Sequence, residues 1–382
     1  MKIAVAGHIC LDIIPEWNRG GIESIIPGQL LEMDGITFST GGAVANTGLA
    51  LTKLGIDTTL VGKIGDDALG SIILDVLQEV KEDITGNMII SQGETSSYTI
   101  VLNPPDTDRI FLHFPGPNQT FKADDITYAD LEGIDIFHFG YPPILKQFYE
   151  SSELVRMMKR VREMGIITSL DMSLPDPESP AGKLDWQEYL KNVLPYVDLF
   201  LPSIDELLYM LDTGVQDFMN KDGSLNIALL AEIGNKLLEW GARVVAIKLG
   251  DQGLYLRTGN LTNSVGGKED NPLLKLADPE KWSNRQILSP CFSTKVVGTT
   301  GAGDTTIAGF LGKFLEGVTP EEVVTVATAV GAFSVEAVDA TGGIKPLSEV
   351  NQRLEKGWNR LPVKIKDEAW RYDGESGLWI RE

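Results

Sequence analysis

The chain has 382 residues, 43% hydrophobic and 23% charged, with a formal net charge of −21. That length and balance suit a globular chain with a sizeable core, as one large α/β domain or two smaller ones. The acidic balance without a basic patch excludes nucleic acid and anionic membrane surfaces as expected partners.

IAVAG (3–7) is a short apolar run ending in glycine, which predicts a buried parallel strand. Comparable runs recur at TTLVG (58–62), DIFHFG (135–140), IITSLD (166–171), VDLFLP (197–202) and RVVAIKLG (243–250). Helical patterns lie between most of them, such as Ala45 to Leu54, closed by Gly55. The alternation predicts an α/β fold: a doubly wound, mostly parallel sheet with helices on both faces. Such sheets bind ligands beyond the carboxyl ends of their strands, where Asp12, Asp171 and Glu206 fall.

Two stretches break this rhythm. Residues 15–38 carry glycine, proline and short apolar pairs without a long helix. Residues 95–114 read as a hairpin: Tyr98, Ile100 and Leu102 alternate, NPPDTD turns and RIFLHF returns. The alternation predicts one apolar face from those three residues with Phe111 nearby. Together the two stretches are expected to form a small accessory β-sheet.

Further on, residues 258–290 are polar, with glycine and asparagine clusters, and read as an enlarged loop. Thr319, Pro320 and Glu322 predict a capping box opening a helix whose core face is Val323, Val326, Ala327 and Val330. The tail from Lys356 holds Trp358, Trp370 and Trp379, expected to pack it onto the core. His8, His113 and His138 lack ligand spacing and are expected to satisfy local hydrogen bonds. Only two cysteines, Cys10 and Cys291, occur and no apolar run approaches the ~20 residues of a membrane span. A reducing, cytoplasmic setting is the expectation.

The chemistry concentrates in VVGTTGAGDTTIAGF (296–310). An apolar run leads into a glycine turn, and Ile307, Phe310, Leu311 and Phe314 then fall at helical spacing. The turn therefore sits at a helix N-terminus, where N–H groups and the dipole attract phosphate. The spacing from Gly298 to Gly303 imitates a Walker A loop, but Asp304 and Thr305 stand where that motif needs Lys and Ser or Thr. An anionic Asp304 cannot cradle a phosphate; its chemical use there is to accept a proton from a hydroxyl attacking a phosphoryl group. The plainer reading is a glycine turn with an aspartate in the first helical turn.

A second motif lies far upstream, GGAVANTGLALTKLGIDTTLVGKIGDDALG (41–70). With the glycine turn it resembles the paired signatures of the ribokinase/PfkB family of carbohydrate kinases, through Gly41, Gly42, Asn46, Gly55 and Gly65, then Gly301-Ala302-Gly303-Asp304. Asp12, FHFGYPP (137–143), LDMSLPD (170–176), LPSIDE (201–206) and KLGDQG (248–253) extend the match to about Gly343. The resemblance implies a ribokinase-like core of residues 1–14, 39–94 and 115–355, a β-sheet lid from 15–38 and 95–114, and an extension at 356–382.

It also implies ATP-dependent phosphorylation of a sugar hydroxyl. Asp304 would be the base, with the turn Gly301, Ala302 and Gly303 as anion hole. Asp12, Gly41, Gly42 and Asn46 would bind the sugar. Gly250, Asp251, Gly253 and Thr299 would lie by the nucleotide, and Glu206 would serve Mg2+. A homodimer through the lid is a further implication. Ser203 departs from the family by replacing an asparagine, and Gly298 by replacing an acidic or polar residue that ligates a monovalent cation in some relatives. Potassium activation is therefore not expected.

A nucleoside kinase of the same family remains the alternative, its base pocket built from Tyr98, Phe111 and Tyr141. A non-catalytic sugar- or nucleotide-sensing homologue is another, against which Asp304 itself counts. A phosphosugar substrate would need a cationic clamp, for which Arg109 and Lys63 are the candidates.

Overall fold

The computed structural model describes residues 1–18, 20–105, 109–150, 152–214, 217–262 and 272–381. In chain order the first strands are β1 Lys2–Gly7, β2 Cys10–Pro15, β3 Ile36–Gly41, β4 Asp57–Val61, β5 Lys63–Gly65, β6 Ile89–Ser91, β7 Tyr98–Leu102 and β8 Ile110–Phe114. There follow β9 Ile136–Gly140, β10 Ile167–Leu170, β11 Leu199–Phe200, β12 Val244–Lys248, β13 Leu254–Thr258, β14 Gln286–Ser289, β15 Trp370–Asp373 and β16 Leu378–Arg381.

The large sheet has ten strands in the order β15-β16-β14-β13-β12-β11-β10-β9-β1-β4. From β4 to β12 every pairing is parallel; from β12 to β15 every pairing is antiparallel. The all-apolar strands have two buried faces. On β1, Ile3 and Val5 enter one core while Ala4 and Ala6 enter the other. Val244 and Ala246 oppose Val245 and Ile247 on β12 in the same way. Helices Ala43–Lys53, Ala302–Phe314 and Pro320–Ser334 cover the first face; Glu153–Glu163, Trp186–Val193 and Ile227–Glu239 cover the second. Each fully buried side chain such as Phe310 or Leu237 contributes roughly 1.5–3 kcal/mol. No helix among the described residues is long and apolar enough to cross a membrane.

A second sheet of four strands runs in the order β3-β2-β7-β8. Strands β2 and β3 extend past the edges expected from the sequence, with CLDIIP and ITFSTG paired over six residues. Between them, the only helical turn among the described residues is Ile22–Ser24. The hairpin of β7 and β8 pairs Tyr98 with Phe114 and Val101 with Phe111; part of its NPPDTD turn, residues 106–108, lies outside the described residues. Cross-strand register decides the face. Phe111 therefore shares a face with Thr99, Val101 and His113, opposite Tyr98, Ile100 and Leu102. This corrects the expected apolar face.

The capping box of Thr319 and Glu322 is present, with Pro320 at the first helical position. Residues 258–290 are less of a loop than their polarity suggests. Helix Pro279–Trp282 buries Trp282 completely, and β14 joins the large sheet, while residues 263–271 lie outside the described set. The tail also does more than lie on the core: β16 pairs with β14, and β15 forms the sheet edge. Trp370 is buried 6.2 Å from the Tyr255 ring, and Trp358 stacks 4.7 Å from Phe292.

Candidate active site

Gly301 adopts φ 69° and caps helix Ala302–Phe314; a Cβ there would stand 2.4 Å from the Ala340 Cβ. Only glycine suits both constraints. The helix places Asp304 in its first turn, 3% exposed. Ala302 N–H donates to Thr299 O at 3.3 Å, so the amides of Gly303 and Asp304 are the ones a first helical turn leaves for an anion.

Helix Ala43–Lys53 packs across this helix and brings the upstream motif to it. Asn46 Nδ2 donates to Asp304 Oδ2 at 2.9 Å, and Thr47 Oγ1 lies 3.5 Å from Oδ1. Tyr141 Oη donates to both carboxylate oxygens at 2.8 Å. Burial pushes the Asp304 pKa up; the Asn46 bond, the Lys248 charge and the Tyr141 and Thr47 bonds oppose it without cancelling it. A buried carboxylate with a raised pKa is suited to receive a proton.

Gly42 starts the upstream helix at φ 90°, where a Cβ would stand 2.4 Å from His8 Nδ1. A Cβ on Gly41 would stand 2.6 Å from Asp12 Oδ2, so its absence makes room for that carboxylate. Burial pushes Asp12 up to about 6 even though Cys10 and Thr99 hydrogen-bond it. Thr99 Oγ1 also meets His113 Nδ1 at 2.9 Å. The His8 ring lies 5.6 Å from His113 and 6.3 Å from Tyr141. Burial, helped by His113, pushes His8 down to about 3, so its ring is uncharged at neutral pH. His113 and His138 find hydroxyl partners, but both ring nitrogens of His8 lack one, contrary to the sequence expectation. Unsatisfied buried polar atoms call for a partner, and a polyhydroxy ligand supplies hydroxyls.

At the end of β12, Lys248 Nζ donates to Asp171 Oδ1 at 2.6 Å. Burial works against the ammonium, but Asp171, Glu206 and Asp304 outweigh it and raise its pKa. The sequence includes Lys248 as the first residue of KLGDQG but assigns it no role; a lone lysine closing the apolar strand VVAIK was the available signal. Glu206 closes a capping box, accepting from Ser203 N–H at 2.7 Å. Among the described residues no three His, Cys, Asp or Glu side chains form a metal-binding group. A single Glu206 carboxylate fits Mg2+ carried by phosphates and water, since that ion needs no all-protein cage.

The other sequence candidates lie around this cluster. Gly250 and Asp251 form a turn two residues beyond Lys248, and Gly253 follows at φ 109°, its Cβ position 2.0 Å from Ser289 O. Thr299 is exposed ahead of the helix. Arg109 reaches from the edge of β8 to the Thr300 hydroxyl, joining the small sheet to the glycine turn. Lys63 points elsewhere, to Asp125 at 3.1 Å and Thr120 O at 3.2 Å, and is no part of a clamp. Tyr98 lies on the far face of the hairpin beside Phe114, leaving Phe111 and Tyr141 of the three proposed aromatics. A Cβ at Gly298 would stand 2.8 Å from the carbonyls of Ala337 and Val338, so no side chain fits there without movement.

Comparison with known proteins identifies the relatives of this chain. The chain is 27% identical over 296 residues to an uncharacterized sugar kinase of Archaeoglobus fulgidus, covering 78% of this chain and 98% of that one. It is 24% identical over 357 residues to probable fructokinase-7 of Arabidopsis thaliana, covering 91% of each. Fructokinase with bound ATP from Xylella fastidiosa superposes with a TM-score of 0.69 at 20% identity, over 93% of this chain and 98% of that one. The family model of the pfkB carbohydrate kinases matches residues 2–346, a span that holds every residue of the cluster around Asp304. The chain thus belongs to the pfkB family of carbohydrate kinases.

Proposed function

We propose that this kinase transfers the γ-phosphoryl group of ATP to a hydroxyl of an unphosphorylated sugar. The observation that carries the reading is Asp304, buried at a helix N-terminus and hydrogen-bonded to Asn46. The acceptor oxygen attacks the γ-phosphorus, its proton passes to the Asp304 carboxylate, and the bond to the β-phosphate oxygen breaks to release ADP. Tyr141 Oη marks where an acceptor hydroxyl would bond Asp304, so it yields as the sugar enters. The amides of Gly303 and Asp304 stabilise charge on the transferred group. Bound Mg2+ would neutralise charge on the phosphates, with Glu206 as its protein contact. The turn of Gly250, Asp251 and Gly253, with Thr299, holds the nucleotide.

Asp12, Asn46 and the unpartnered His8 offer hydrogen bonds to sugar hydroxyls, with Gly41 and Gly42 giving the ligand room. A neutral sugar is favoured because Lys63 is committed to Asp125 and leaves Arg109 without a second clamp residue. The four-stranded sheet acts as a lid, and its exposed Ile36, Phe38, Leu112 and Phe114 suit a homodimer contact. ADP release measured across sugars, phosphosugars and nucleosides tests the reading. Turnover with a neutral sugar supports it; turnover confined to nucleosides, or none above ATP hydrolysis, contradicts it.

A further inference from the structure

Lys248 is an ammonium buried among acids. Its side chain is 12% exposed, its Nζ bonds Asp171 at 2.6 Å, and the charges of Glu206 and Asp304 also act on it. A buried pair of this kind gives little net stability, because desolvating both ions offsets most of their attraction. A counter-ion for Asp171 alone would need no particular direction of approach. This lysine has one. A Cβ built on Gly303 would lie 3.6 Å from Lys248 Cδ, 3.7 Å from Cε and 3.9 Å from Nζ. The lysine stem therefore runs along the middle of the glycine turn, and the ammonium emerges between that turn and Asp171.

The charge balance at this spot is unfavourable to a phosphate. Asp171, Glu206 and Asp304 carry up to three negative charges around a single positive one, and a γ-phosphoryl group adds more. Backbone amides provide dipoles but no full charge. A lysine acts on phosphate as a mobile point charge.

We propose that Lys248 is a catalytic residue whose ammonium, held by Asp171 between turnovers, contacts the γ-phosphoryl oxygens of ATP during transfer. The proposal rests on the kinase reading. Lys248 makes and breaks no covalent bond. The acceptor proton goes to Asp304, the electron pair of the broken phosphorus–oxygen bond goes to ADP, and the ammonium donates only hydrogen bonds.

Calorimetric titration with ADP and with the β,γ-imido analogue of ATP, each with Mg2+, tests this on the full chain. Lys248→Met alone leaves Asp171 buried without a partner, so the informative protein is the double variant Lys248→Met/Asp171→Asn, which removes the ion pair as a unit. It should bind ADP within about twofold of wild type but the imido analogue roughly 10–100-fold more weakly, the worth of one charge-assisted hydrogen bond. Turnover with the sugar accepted by wild type should fall by on the order of 100-fold. A merely structural pair predicts the reverse, with the double variant recovering both. Equal change for ADP and the imido analogue, or restored turnover, would overturn the proposal and leave the kinase reading standing. Failure of wild type to bind either nucleotide would bring down both.

Discussion

Tyr141 Oη donates to both carboxylate oxygens of Asp304 at 2.8 Å, from a residue whose backbone stands in the left-handed region at φ 66°. Burial and the nearby Asp304 charge hold the phenol far above its usual pKa, so it is a neutral donor throughout the working range. The bond favours the ionised carboxylate. Tyr141→Phe should therefore raise the Asp304 pKa further and shift the acid limb of kcat/KM to higher pH, with a loss of about tenfold at neutral pH. A pH–rate profile superimposable on wild type would show that the bond has no bearing on the base.

Asp12 predicts opposite effects on stability and binding. Its pKa is raised from 3.8 to about 6, with burial as the first cause. A carboxyl raised in the folded state contributes stability that is fully present below its unfolded value and is lost as pH rises through the folded one. The ligand-free protein should thus lose stability between pH 3.8 and about 6 on account of this group. Asp12→Asn should raise Tm at pH 7.5 by on the order of 1–3 °C while abolishing measurable sugar binding. Thermal unfolding and sugar titration of the variant read the two effects separately; a fall in Tm with sugar affinity retained would contradict both.

Gly298 leads to an ionic prediction. The carbonyls of Ala337 and Val338 occupy the space a Cβ would need there, and Gly298 brings no side-chain ligand for a monovalent cation. Initial rates at fixed Mg2+ and ionic strength should be nearly the same with sodium as with potassium. A large potassium-specific activation would show that these carbonyls suffice as ligands.

The small sheet should open and close. It follows β1 after only His8 and Ile9, its strand β8 is largely exposed, and a small sheet is marginally stable by itself. Strands β2, β3, β7 and β8 should exchange amide hydrogens faster than β1, β9 and β12, and should slow when sugar is added. Equal protection without ligand, unchanged by sugar, would contradict a lid.

What was legible in the sequence is what is local. The strands of the large sheet announce themselves as apolar runs, and the glycine turn before Ile307 and Phe310 reveals a helix N-terminus with Asp304 in its first turn. The partners of Asp304 were only partly legible. Asn46 came through resemblance, whereas the Tyr141 contact spans 163 residues and the Lys248 pair with Asp171 spans 77, distances at which no periodicity operates. His8 looked bland because a lone histidine carries no spacing, and only packing reveals that both its nitrogens are unpartnered. Strands β15 and β16 are four residues each and take their identity from pairing with β14, which lies inside a segment whose polarity concealed it.

The most direct test of the account is turnover by Asp304→Asn. The substitution keeps the shape of the side chain and removes the proton acceptor. ADP formation with the accepted sugar should fall by roughly 10²–10⁴-fold, the worth of a positioned general base. Affinity for ADP and the thermal midpoint should stay close to wild type, since Asn46 and Tyr141 still have a side-chain oxygen to bond. Turnover within a few fold of wild type, in a variant that binds ADP and folds normally, would contradict the assignment of Asp304 as the base.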